Sequence, residues 1–85
     1  MTGYSIRILR SAQKSLSQLP RKDYLRVKKK LLSLPTNPFP VGSKKLKGRD
    51  GFRLRVGKYR VIYLVRKNEL LILILDIDHR KDIYK

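Results

Sequence analysis

The chain has 85 residues, 41% of them hydrophobic, which is enough for one small domain with a modest core. It contains no cysteine, which excludes a disulfide framework and thiolate metal sites. Lysine and arginine number 22 against 6 acidic residues, and the formal net charge of +16 predicts a polyanionic partner, with nucleic acid as the leading class.

Two other partner classes and the location of the protein can be judged from the same sequence. An acidic protein that neutralises the chain also fits the charge, whereas a membrane surface fits poorly because no long basic amphipathic helix is evident. Arg7 and Arg10 interrupt the opening segment, which argues against a signal peptide. The longest apolar run, residues 70–75, is too short to span a bilayer. We therefore expect a cytoplasmic protein in which residues 1–85 form a single domain.

The first half of the chain predicts a strand followed by two helices. In YSIRIL (residues 4–9) apolar and polar side chains alternate, as in a strand. Ser11 is expected to cap a first helix, and Pro20 to end it and begin a second. The second helix has an apolar stripe opposite three consecutive lysines, which predicts core packing. The stripe consists of Tyr24, Val27, Leu31 and Leu34.

The second half predicts an ordered connection and three strands. Residues 35–43 (PTNPFPVGS) contain three prolines, which exclude a helix or a central strand. Gly57 and Lys58 suit a two-residue type II′ hairpin turn. After a turn near Asn68, residues 70–77 are apolar at almost every position, which predicts a strand covered on both faces. The order β-α-α-β-β-β predicts an α+β fold, with a helical hairpin packed on a mostly antiparallel sheet.

The predicted hairpin places like charges opposite each other. Its register pairs Arg55 with Arg60 and puts Arg53 on the same side of the sheet; we call this surface the arginine face. Like charges opposite each other destabilise a sheet, although water screens them well on a solvated surface. However, 8 of the 17 residues in 44–60 are basic. The arginine face is therefore predicted to bind RNA or DNA phosphates, which says nothing about cleavage.

Few groups in the sequence could carry chemistry. There is no phosphate-binding glycine loop, zinc-ligand spacing or serine–histidine–acid pattern, and we expect neither a metal nor a cofactor. His79 is the one histidine, so a two-histidine nuclease mechanism within the chain is excluded. His79 could act as an acid or base or have a structural role, and Tyr84 could transfer a proton, stack on a base or fill the core.

Two segments resemble the RelE/ParE superfamily of bacterial and archaeal toxins, on its RelE-type branch. They are KLKGRDGFRLRVGKYRVIYLV (residues 45–65) and ILDIDHRKDIYK (residues 74–85). The resemblance implies the RelE-like microbial RNase fold. It also implies a toxin that enters the ribosomal A site and cuts mRNA, the ribose 2′-hydroxyl attacking the adjacent phosphate. The expected partners are the ribosome, mRNA and an adjacently encoded acidic antitoxin (RelB-like), with a toxin–antitoxin heterotetramer as one assembly.

The resemblance also implies roles for particular residues. Arg60 would hold the scissile phosphate, Arg80 would stabilise the leaving group, and Tyr84 would stack on the mRNA or assist proton transfer. Arginine at 53 and 55 departs from the lysines common in RelE toxins, and a guanidinium does not act as a base. The base would then be His79, Tyr84, Lys45 or Lys47. The implied catalytic residues are Arg60, Arg80, Tyr84 and His79, and the implied RNA-binding residues are Lys45, Lys47, Arg53 and Arg55.

Two other functions fit the same fold. One is a ParE-like inhibitor that binds DNA gyrase and performs no RNA chemistry. The other is an RNA-binding RelE homologue with weak catalysis, because arginines hold a phosphate well but do not take a proton.

Overall fold

The computed structural model describes residues 3–79, so Arg80 and Tyr84 lie outside the described residues. Two helices and five strands occur within that range. The helices are α1 (Arg10–Ser17) and α2 (Arg21–Ser33). The strands are β1 (Ser5–Ile8), β2 (Ser43–Lys45), β3 (Phe52–Val56), β4 (Tyr59–Arg66) and β5 (Leu71–His79), and a 3-10 turn at Lys67–Glu69 joins β4 to β5.

The strands form one sheet in the order β1-β5-β4-β3-β2. Strand β1 pairs with β5 in parallel, and the remaining neighbours pair antiparallel. The predicted α+β fold with a mostly antiparallel sheet is therefore confirmed. Strand β2 was not predicted, because a three-residue edge strand within a run of lysines shows no apolar alternation.

The helices cover one face of this sheet. Helix α1 packs on β5, and α2 contacts both α1 and β3. Three of the four residues in the predicted α2 stripe are buried, and Tyr24 is half-buried. The core beneath the helices consists of Ala12, Leu16, Val27, Leu31, Leu34, Leu54, Val56, Tyr59, Val61, Tyr63, Ile72, Ile74 and Ile77.

The predicted cap at Ser11 is wrong. Helix α1 begins at Arg10 with Leu9 at the N-cap position, so Ser11 already lies in the first turn. The Ser11 hydroxyl donates instead to the Leu75 carbonyl oxygen of β5, at 3.3 Å. Pro20 precedes α2 instead of beginning it, because its ψ of 147° is extended.

The prediction that the last strand is covered on both faces is also wrong. Ile72 and Ile74 are fully buried on the helix side, whereas Leu71 and Leu73 are only half-buried on the other. Strand β5 lies inside the sheet between β1 and β4, and its residues are apolar on both sides. Both described helices, however, pack on the side of Ile72 and Ile74.

The hairpin between β3 and β4 forms in the predicted register. Arg55 lies opposite Arg60, and Leu54 lies opposite Val61. Gly57 has a φ of 58°, a positive value of the kind that the first central position of a type II′ turn requires. The proline-rich connection is tied to this hairpin, because the Tyr63 hydroxyl donates to the Pro38 carbonyl oxygen at 2.7 Å.

Candidate nucleic-acid interface

The sheet face turned away from the helices, which we call the open face, carries two rows of charged residues. Because directly paired residues of antiparallel strands point to the same side, the pairing defines each row. One row runs across β3, β4 and β5 as Arg55, Arg60 and Asp78. The second row starts on β2 and runs through Lys44, Arg53, Ile62 and Asp76. Each row therefore has cations at one end and a carboxylate at the other.

Cavities lie along these rows. The arginine cavity, about 160 Å³, is lined by Gly42, Lys44, Arg53, Arg55 and Arg60. The aspartate cavity, about 300 Å³, is lined by Leu46, Lys47, Arg49, Arg53, Arg60, Ile62, Asp76 and Asp78. Arg53 and Arg60 line both cavities and so lie at their junction. The two cavities form a groove whose centre is a pair of arginines.

Arg60 differs from the other cations of the groove in its burial. It is only 5% exposed, and it is the one charged residue that is buried within residues 3–79. Burying a charge is costly unless it is paired and hydrogen-bonded. Arg55, directly opposite, is exposed, and Arg53 is half-buried. The groove therefore has a fixed cation at its base and more accessible cations above it.

A β-bulge brings the carboxylates to this face. Ile62 pairs with Asp76 whereas Tyr63 pairs with Ile74, which leaves Leu75 as an extra residue in β5. If the strand alternated strictly through Leu75 with no bulge, Asp76 would instead point towards the helices along with Ile74. The bulge instead buries Ile77 and turns both aspartates to the open face.

The structure brings together most of the predicted RNA-binding residues. Arg53, Arg55 and Arg60 line the arginine cavity, and Lys47 lines the aspartate cavity. Lys45 pairs with Phe52, so the register points it towards the helix side. At the sheet edge Lys45 nevertheless lines a third cavity of about 580 Å³, together with Lys44, Leu46, Lys47 and Arg53.

His79 does not lie with the arginines. It pairs with Tyr59, which faces the helices, and the two rings meet edge to face with centroids 5.4 Å apart. The Tyr59 hydroxyl donates to Asp23 Oδ2 at 2.7 Å. That hydrogen bond, burial and the charge of Asp23 raise the pKa of Tyr59 above its ordinary value. The catalytic role of His79 stays a prediction, as do the roles of Arg80 and Tyr84, which lie outside the described residues.

Three residues of the open face were missed in the sequence. Lys44 lies opposite Arg53 and lines the arginine cavity, and the alternation of the hairpin would have indicated it if β2 had been recognised. No role was predicted for Asp76 or Asp78. Their placement depends on the bulge, and a bulge leaves no clear signal in an apolar run such as LILIL.

The groove can hold an anion of the phosphate class. Guanidinium groups match the geometry of phosphate oxygens and remain protonated, so they stabilise negative charge without acting as bases. Among residues 3–79 no cluster of histidine and acidic side chains could hold a metal ion. Within the same range, no helix is long and apolar enough to cross a membrane.

Solved structures define the fold class. The RelBE2 complex of Mycobacterium tuberculosis contains a chain with a TM-score of 0.79 and 28% identity, covering 92% of this chain and 99% of that chain. The archaeal RelE–RelB complex of Pyrococcus horikoshii gives a TM-score of 0.79 at 31% identity, covering 92% and 96%. The isolated Escherichia coli RelE toxin, at 22% identity, supports the fold alone, with a TM-score of 0.78 and coverage of 95% and 90%. The chain therefore has the fold of RelE toxins.

Sequence comparison then gives the family. The model described as the ParE toxin of the type II toxin–antitoxin system parDE matches residues 6–84. The curated RelE1 toxin of Methanocaldococcus jannaschii is 35% identical over 86 residues, which cover 96% of each chain. The chain belongs to the RelE/ParE family of toxins of type II toxin–antitoxin systems.

Proposed function

We propose that this toxin is a ribosome-dependent mRNA endonuclease that inhibits translation in the cytoplasm. The observation that carries the proposal is the buried Arg60 at the junction of two cavities, with Arg53 beside it in both. A cation held at the base of an accessible groove suits a single phosphodiester that enters from solvent. A protein that only bound another protein would not need a cation placed in this way.

In the proposed reaction the ribose 2′-hydroxyl attacks the adjacent phosphorus and the bond to the 5′-oxygen breaks. The products are a 2′,3′-cyclic phosphate and a 5′-hydroxyl end, so no water and no cofactor are consumed. Arg53 and Arg60 would stabilise the extra negative charge of the phosphorane. Preorganised donors of this kind contribute strongly, since losing one typically costs about 10²–10³-fold in rate.

The proton of the 2′-hydroxyl needs an acceptor other than arginine. Of the bases suggested by the sequence, Lys47 is the one in residues 3–79 that lines a cavity together with Arg60. Its neighbours in that cavity include Arg53, the second arginine proposed to hold the phosphate. We therefore favour Lys47 as the base, while the roles implied for Arg80 and Tyr84 stay predictions.

The partner that restrains this activity would be an acidic, RelB-like antitoxin. The net charge of +16 and the accessible cations of the groove favour a partner of opposite charge that covers the open face. The similar structures from Mycobacterium tuberculosis and Pyrococcus horikoshii are toxin–antitoxin complexes, which supports an antitoxin partner here. A toxin–antitoxin heterotetramer stays a prediction. Mixing with such an antitoxin should abolish cleavage.

The test is to add the purified protein to a translation extract and map mRNA 5′ ends. We expect new ends on ribosome-bound messages, intact naked RNA, and a loss of about 100-fold or more with Arg60→Ala. Arg66→Ala is the matched control, since Arg66 lies on the same strand and is 51% exposed in an ion pair with Glu69.

Two results would contradict the proposal. Intact mRNA at protein concentrations that stop translation would exclude the endonuclease, and inhibition of gyrase supercoiling by the same sample would then favour the ParE-like function. Equal cleavage by the wild type, Arg60→Ala and Arg66→Ala would show that the groove is not the active site.

A further inference from the structure

Arg60 lies between two residues of opposite charge. Its neighbour on β3 is Arg55, and its neighbour on β5 is Asp78. Directly opposite residues in antiparallel strands have Cβ atoms about 4.5–5.5 Å apart, within reach of both side chains. Arg55 repels the Arg60 guanidinium and Asp78 attracts it, so both neighbours favour a position of that group on the Asp78 side of the row.

Asp78 is expected to weaken phosphate binding, so its location opposite Arg60 should bring a compensating benefit. A carboxylate on a phosphate-binding face repels the phosphate, and the chain has only 6 acidic residues against 22 basic ones. The bulge at Leu75 nevertheless turns Asp78 to this face and directly opposite the one buried cation in residues 3–79. A buried guanidinium is costly unless an acceptor such as a carboxylate pairs with it.

Asp76 provides an internal comparison. It lies on the same face and lines the same aspartate cavity, but the residue directly opposite is the uncharged Ile62. One of its carboxylate oxygens, Oδ1, accepts the backbone N–H of Ile77 at 2.9 Å. Asp76 and Asp78 therefore add the same charge to the groove, whereas Asp78 alone faces an arginine across the sheet.

We propose that Asp78 is a positioning residue for Arg60. Its carboxylate holds the Arg60 guanidinium away from the Arg55 guanidinium, so that Arg55 and Arg60 present separate donors to one phosphate. The effect on mRNA cleavage rests on the proposed function above. The order of the Arg60 side chain does not, because it is a property of the free protein.

The first experiment measures the side-chain Nε–H signals of arginine in the ¹⁵N-labelled full-length protein, with Arg60→Lys to assign the signal of Arg60. We expect the Arg60 signal to be shifted and protected from exchange with water in the wild type and in Asp76→Asn. In Asp78→Asn that protection should be lost. An unchanged Arg60 signal in Asp78→Asn, or equal loss of protection in both aspartate variants, would overturn the positioning role.

The second experiment measures cleavage by the same variants. Since a displacement of about 1 Å in a catalytic group can cost 10²-fold, we expect Asp78→Asn to lower kcat by roughly 100-fold with little change in KM. Asp78→Glu, which keeps the charge, should recover part of the rate. Asp76→Asn, the charge-matched comparison, should lower kcat much less than Asp78→Asn does, because Asp76 lies opposite the uncharged Ile62.

The outcomes separate the two proposals. A wild type that never cleaves mRNA refutes the proposed function, while the arginine signals still decide the role of Asp78. An active wild type with an equally active Asp78→Asn refutes the positioning role alone. If Asp78→Asn fails to fold, Asp78→Ser takes its place as the uncharged variant: an Arg60 signal that stays protected, or a kcat equal to that of the wild type, would overturn the role.

Discussion

The same strands build two faces with opposite character. On the helix side, β3 and β4 place Leu54, Val61 and Tyr63 in a fully buried apolar layer. On the open face, the intervening residues of these strands include Arg53, Arg55 and Arg60. Burial of the first face stabilises the domain of 85 residues. That stability offsets the repulsion between the cations that the second face holds close to one another. Substitutions on the two faces should therefore have different consequences.

The largest expected effect is on stability and comes from the helix side. Ile74→Ala removes a fully buried side chain between β5 and the helices, and such truncations lower the free energy of unfolding by about 2–5 kcal/mol. Leu73→Ala, one residue earlier on the half-buried open side, is the matched control and should cost much less. Urea unfolding followed by circular dichroism measures both. Equal decreases in the free energy of unfolding would mean that the open face contributes as much to stability as the helix side.

A smaller effect concerns pH and two tyrosines of the helix side. The hydrogen bond to Asp23 raises the pKa of Tyr59, and burial raises the pKa of Tyr63, from an ordinary value of 10.0. The unfolded chain then loses these protons at a lower pH than the folded protein does. The stabilising contribution is complete below about pH 10 and decreases as the pH rises towards the folded pKa values.

The measurement is the free energy of unfolding between pH 8 and pH 11 or above. Tyr59→Phe and Tyr63→Phe should each be less stable than the wild type near pH 8 and lose less stability as the pH rises. A raised pKa is worth about 1.4 kcal/mol per unit, which sets the scale of the change. Variants with the same pH dependence as the wild type would contradict the assignment.

The smallest expected effect lies on the open face. Arg55→Gln removes an exposed cation from the arginine cavity, so binding to single-stranded RNA should release fewer counterions. The log–log slope of affinity against salt should become less steep by about 0.7, because the variant neutralises one phosphate fewer. Arg21→Gln, on the exposed start of α2, is the control and should leave the slope unchanged. Equal changes would show that RNA binding follows net charge and not the groove.

Much of the open face could be predicted from the hairpin. A glycine at the turn sets the register, and the register alone places Arg53, Arg55 and Arg60 on one face. His79 could not be placed in the same way, because its side of the sheet depends on the extra residue at Leu75 in a different strand. The same bulge hid the role of Asp76 and Asp78. Alternation within a hairpin can be predicted from the sequence. A bulge that shifts the alternation cannot, because it arises when strands pair and pack in the sheet.

By itself, the sequence determined the charge, the two helices, the hairpin register and the resemblance to RelE toxins. These follow from composition and from local periodicity, which neighbouring residues in the chain specify. The burial of Arg60, its shared cavity with Lys44 and the position of Asp78 opposite it could be seen only in the folded chain. Those features depend on an edge strand and a bulge, and both form only when distant segments pair in one sheet.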